Sequence, residues 1–220
     1  MTRVDLYRTV HKGIRATLFE TAAAVGRTEF ADAEEAVAAA TAVRRMLGFL
    51  DEHARHEDAV VLPELSRISP ELSAEIEADH ARTNGLQREI EALVARLEGA
   101  NEAERVALGA RLHDRIPRLL AEHLHHMGRE ETEANRALWA NLTDAELDAL
   151  HRRIVGAIPP ARFAEWLELF LPAVTRSERA AMIGGLRASV PAPVFDHLVA
   201  PARAALGPAR WETTVAAARI

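Results

Sequence analysis

Residues 119–131 read LLAEHLHHMGREE, and the way they continue the pattern before them decides the fold. Upstream, Leu108, Leu112, Ile116 and Leu119 recur at spacings of three and four, the signature of one helical face. Continued in register, that face carries His123, His126 and Glu130 in place of leucine. A helix is expected over about 102–138, with ionisable groups on the side that should meet the core. Pro117 lies inside the pattern and is expected to kink or split it, because proline lacks the backbone donor and crowds the preceding turn.

Three similar faces precede this one. The first spans about 2–25, with Val4, Tyr7, His11, Ile14 and Leu18 on its stripe and Gly26 at its end. The second spans about 32–62, with Asp32 placed to cap it and a stripe of Ala39, Val43, Met46, Leu50, His53, Glu57 and Val60. The third spans about 70–98, with Ser69 at the cap position, Pro70 at the first helical position and Gly99 as the stop. Its face runs Leu72, Ile76, His80, Thr83, Leu86, Ile90, Leu93, Leu97. Long helices joined by short connections predict an all-α, up-down-up-down four-helix bundle over 1–140.

From about 141 the texture changes. Prolines divide the chain into short helices, expected near 143–157, 160–171, 176–188, 193–205 and 208–218. This C-terminal helical extension, 141–220, carries no clustered ligands. Trp166, Leu169 and Phe170 share a face, which reads as packing on the bundle or on neighbouring helices, with a homodimer interface as the other reading.

Composition narrows the chemistry. The 220 residues are 49% hydrophobic and carry a net charge of −6 with no basic block, which argues against nucleic acid. There is no cysteine, so disulfides, thiolate sites and iron–sulfur clusters are excluded, and any metal must be held by His, Asp, Glu or backbone. No stretch approaches the ~18 apolar residues of a membrane span, and no signal peptide is evident, so a cytoplasmic location is the default expectation.

Burying a carboxylate or imidazole in a bundle core costs several kcal/mol, roughly, unless something compensates. A metal ion does so directly, by accepting imidazole lone pairs and neutralising carboxylates. His11, His53, Glu57, His80, His126 and Glu130 all fall at core positions, and in an antiparallel bundle they lie at one depth. His53–Glu57 and His126–Glu130 are each i, i+4 pairs, stacked on one face; such a His can bind one ion while the Glu, a turn away, bridges to a second.

With these elements in order, residues 1–140 resemble a hemerythrin-like (HHE cation-binding) domain: His11; His53-Ala-Arg-His56-Glu57; His80; and His123 through Glu131. The resemblance implies a centre of two iron ions, with His11, His53, His80 and His126 as terminal ligands and Glu57 and Glu130 as bridges. Zinc or manganese are the alternative metals. Oxygen-carrying members of that family place two histidines one turn apart on the third helix, whereas His80 has Ile76 and Asn84 at that spacing. One position is then open, or filled by His56, His123, Glu77 or water, which favours reaction with a small ligand over reversible oxygen carriage.

Other readings follow from the same residues. Glu77-x-x-His80 and Glu122-x-x-His125 fit a ferritin-like scheme, but its first-helix carboxylate could only be Glu20. The second His of a zinc-protease motif is missing after His56-Glu57. His125 is expected at the surface, and His113, His151 and His197 in structural roles. The expected function is a di-iron protein that binds or reacts with dioxygen, nitric oxide or peroxide, in stress response or iron handling. An activity that consumes peroxide or nitric oxide fits this expectation. The alternatives are a regulatory module in which the metal senses or stiffens, and a metal-free helical adaptor.

Overall fold

The computed structural model describes residues 3–219, and among these there is helix but no strand. Its elements are α1 Arg8–Arg27, α2 Ala33–Val60, α3 Leu62–Ile68, α4 Pro70–Leu97, α5 Glu102–Arg129, a π-helical turn Glu130–Ala134, α6 Asn135–Asn141, α7 Asp144–Ala157, α8 Pro160–Ala173, α9 Arg176–Ser189, α10 Ala192–Leu206 and α11 Pro208–Ala218. None of these helices is long and apolar enough to cross a membrane. The chain resolves into two compact units. One comprises the residues up to Tyr7 with Arg15–Leu150; the other comprises Arg8–Ile14 with the chain from His151 onward.

In the first unit, helix ends follow local chemistry. Asp32 Oδ1 accepts the N–H groups of Glu34 (2.8 Å) and Glu35 (3.0 Å), as its cap position predicts. Asn101 and Glu104 form a reciprocal capping box at the start of α5. Pro70 opens α4, but Ser69 beside it makes no capping bond. Gly99, with φ of 79°, follows α4 in a conformation that costs glycine nothing. α4 packs against α2 and α5, and the short α3 touches α2, α4 and α6. Their shared interior is apolar: Val43, Met46, Leu50, Ile76, Ile90, Leu112, Ile116 and Leu119 are fully or almost fully buried. Each such side chain contributes about 2 kcal/mol by leaving water.

Two expectations are corrected. The first helix begins at Arg8, not near residue 2, which places His11 in its first turn. The described residues before it are not helical, and their polar groups bond elsewhere. Arg3 donates to the Trp139 carbonyl (2.6 Å) and the Leu142 carbonyl (2.5 Å); Trp139 Nε1 donates to the Val4 carbonyl (2.7 Å); Asp5 accepts from Asn135 (3.0 Å). The second correction concerns the expected split at Pro117. α5 runs through it unbroken, and its ring sits on the exposed face, where a missing donor is least costly. The irregularity falls thirteen residues later instead, at the π turn starting with Glu130.

In the second unit, α8 lies along α10, and α11 along α9. Leu167, Leu171, Ile183, Phe195, Leu198, Val199, Ala202, Leu206 and Trp211 form one buried apolar cluster. The Trp166 face is used within this unit. Trp166 is buried with its ring 5.1 Å from Phe170, and Leu169 and Phe170 crowd Gly13, leaving no room for a Cβ there. Arg179 is buried at the centre and donates to the carbonyls of Val174 (2.6 Å) and Leu171 (3.4 Å) and to Thr214 Oγ1 (3.1 Å). Burial, followed by Arg210 and Arg176 nearby, lowers its pKa.

Candidate metal centre

Six buried side chains from α1, α2, α4, α5 and the π turn form two overlapping groups. One consists of His11, His53, Glu57 and Glu130; the other of Glu57, His80, His126 and Glu130. Within each group, one nitrogen or oxygen per residue lies within 4.8 Å of all the others. Glu57 and Glu130 belong to both groups, so two carboxylates stand between two pairs of imidazoles.

The i, i+4 spacing produces this geometry on two helices in the same way. His53 Nε2 lies 3.2 Å from Glu57 Oε1, and His126 Nε2 lies 3.2 Å from Glu130 Oε2. α4 then brings His80 Nε2 to 3.5 Å from Glu57 Oε2, and the His80 and His126 rings lie 4.7 Å apart, edge to face. Glu130 is the first residue of the π turn, where the Asn135 N–H bonds back five residues to the Glu130 carbonyl. Thr132 helps set this turn by donating its hydroxyl to the Gly128 carbonyl (2.7 Å).

Burial works against charge on His80, but the Glu57 carboxylate 3.5 Å away, then Glu130 and the hydrogen bond to Asp58, outweigh it and push its pKa up to about 9. Tyr7 is buried, and burial, then the carboxylates of Glu130 and Glu57, hold its phenol well above the ordinary range. The fit of a cation can be tested on one atom. His80 Nε2 is buried with no hydrogen-bond partner among the described residues, as suits a nitrogen whose lone pair is meant for a metal. Imidazole and carboxylate donors together suit iron, manganese and zinc.

The remaining candidates fall outside both groups. His123 is buried one turn from His126, with ring centroids 6.2 Å apart. His56 is half-buried, and burial above all lowers its pKa. Glu77 is exposed, and its side chain accepts from Ser73 (3.3 Å). The ferritin-like scheme fails on burial, because Glu77, His125 and Glu20 are all exposed. His113, His151 and His197 are exposed as well.

Two acidic neighbours were not anticipated. Asp58 Oδ1 lies 2.7 Å from His80 Nδ1. Asp79, itself buried, pairs with Arg82 and with Arg129 (3.3 Å) and stands 3.9 Å from His126 Nδ1. The available signal was adjacency: each aspartate is next in sequence to a residue of the cluster, Asp58 to Glu57 and Asp79 to His80. Asp58 and His80 also line a cleft of about 550 Å³, together with Leu62, Ser66, Glu77 and Asn84.

Comparison with known proteins agrees with this geometry. The family description Hemerythrin HHE cation binding domain matches residues 2–138. No curated protein matches the chain.

Proposed function

The chain belongs to the hemerythrin HHE cation-binding family, and from that premise we propose that it holds two iron ions and binds or reacts with a small ligand such as dioxygen, nitric oxide or peroxide. His11 and His53 hold one ion, His80 and His126 the other, and Glu57 and Glu130 bridge them. The observation that carries this reading is the sharing of Glu57 and Glu130 by two groups that each bring their own pair of histidines. Two histidines with carboxylate oxygen at each ion is a donor set typical of non-haem ferrous sites that keep positions open for a ligand. When bound, the iron pair would supply redox chemistry at this site, in a protein that has no cysteine thiols.

The chain's own part is to bind, orient and exclude water. The two glutamates cancel half of the charge of a ferrous pair. Ile76, one turn before His80, is fully buried and offers no donor, so the third helix supplies a single histidine to the centre. Leu50, Ile76 and Met127 keep the surroundings apolar, which strengthens each charge interaction inside.

The test is metal analysis with an optical spectrum on protein from iron-replete cells. Two irons per chain, with absorption that changes on adding nitric oxide or peroxide, is the expected result. Protein that takes up one ion or none under these conditions would overturn the proposal.

One observation favours a second reading, a regulatory module. His11 lies in the stretch Arg8–Ile14, which packs with the C-terminal helices through Lys12 Nζ on Glu178 (2.5 Å) and Gly13 against Phe170. Turnover separates the readings: an enzyme consumes many equivalents of peroxide or nitric oxide, whereas a sensor changes conformation once per ligand bound.

A further inference from the structure

We infer that Asp58 is a positioning residue for the metal centre: it grips His80 through Nδ1 and so presents Nε2 to the ion shared with His126, Glu57 and Glu130. The inference rests on the two-ion reading above. Its geometry is local and specific. The Asp58 carboxylate reaches His80 Nδ1 at 2.7 Å, while Glu57, the residue before it on α2, places Oε2 3.5 Å from Nε2 of the same ring. Consecutive residues of one helix therefore address opposite edges of one imidazole on another helix.

The two edges differ in environment. The Asp58 side chain is 50% exposed and stands in the wall of the cleft with Ser66, Glu77 and Asn84, whereas the His80 side chain is 5% exposed. Asp58 thus reaches in from the exposed side to fix a ring whose other nitrogen is buried. A neutral imidazole can carry its proton on either nitrogen. A carboxylate at Nδ1 selects the form with Nδ1–H, leaves the lone pair on Nε2, raises its basicity, and stops the ring from turning a carbon toward the ion. His126 has no equivalent grip from Asp79, whose 3.9 Å separation is beyond a hydrogen bond.

The experiment is an anaerobic titration of the full-length metal-free chain with ferrous iron against a competing chelator, for wild type, Asp58→Ala, Asp58→Asn, His80→Ala and the double variant. Asp58 is half-exposed, so Asp58→Ala should fold, and circular dichroism of the metal-free proteins checks this. Asp58→Ala should leave one ion bound at wild-type affinity and weaken the other about 10–100-fold, the usual cost of losing an outer partner of a metal-bound histidine. Asp58→Asn, which keeps an acceptor but loses the charge, should fall between. In the His80→Ala background, removing Asp58 should have no further effect, because Asp58 acts through that ring.

A structural ion pair would instead change unfolding of the metal-free chain and leave iron affinity unmoved. Two ions bound to Asp58→Ala at wild-type affinity, or an equal further loss in the His80→Ala background, overturns the inference and leaves the two-ion reading intact. Wild-type protein that binds fewer than two ions overturns both.

Discussion

The two units solve the problem of a buried charge differently. In the second, Arg179 sits inside an apolar helical core, and its guanidinium is satisfied by two carbonyls and a hydroxyl of the same unit. In the first, imidazoles and carboxylates meet each other in an equally dry interior, where His80 Nε2 has no hydrogen-bond partner and its ring is driven toward the charged form. Helical periodicity is similar in both. A buried cation with enough acceptors closes its own account; a buried cluster of ligand atoms waits for something to coordinate.

The contrast can be broken most forcefully by removing metal. A ligand at a thousandfold excess over its Kd stabilises the folded state by about 4 kcal/mol. Chelation should therefore speed amide exchange strongly in α4 and α5 and leave α8 and α10 nearly unchanged. Equal acceleration in both units would erase the distinction. Glu57→Ala removes a donor common to both groups and should lower affinity for both ions by more than the ~10–100-fold expected for an outer partner. Loss of one ion only would show that Glu57 does not bridge.

Arg179→Met tests the other unit. It leaves the Leu171 and Val174 carbonyls short of a donor and should cost about 2–3 kcal/mol in denaturant unfolding, with iron content unchanged. A weaker effect comes from pH. The pKa of His80 rises from 6.5 to about 9 in the metal-free fold, so its stabilising contribution is complete below 6.5 and disappears as pH rises through about 9. The metal-free protein should have a lower urea midpoint at the alkaline end of this window, and His80→Ala should flatten that slope. Over the same window iron affinity should rise, since the ion must displace that proton.

The smallest effect is expected at Lys12. Its bond to Glu178, with help from the Thr175 N–H, draws the Glu178 pKa from 4.5 to about 2. That contribution is present above the ordinary carboxylate value and fades as pH falls toward the lowered one. Because the pair is partly exposed, Lys12→Ala should cost less than about 1 kcal/mol at neutral pH, measured by thermal unfolding.

Much of the buried His/Glu cluster was legible in the chain because its members replace leucines in a strict helical pattern. His53, Glu57, His126 and Glu130 each fall on a stripe, and the i, i+4 spacing already stacks them. The short helices after residue 143 were legible for the opposite reason: prolines open three of them, at Pro160, Pro193 and Pro208, and a Thr175–Glu178 capping box opens another. The expected split at Pro117 did not occur because the cost of a proline depends on which side of the helix it occupies, and here it faces water. The π turn at Glu130 left no comparable mark, since its extra residue is stabilised by bonds such as that from Thr132 to the Gly128 carbonyl.

By itself the sequence determined which segments are helical, which face of each is buried, and which ionisable residues lie on those faces, because these are periodic properties of neighbouring residues. Only the tertiary structure decided that α1 starts at Arg8, that Glu57 and Glu130 are common to two groups, and that Asp58 rather than His56 engages His80. Those outcomes depend on distances between side chains far apart in the chain, and such distances follow from how helices pack, which no local spacing encodes.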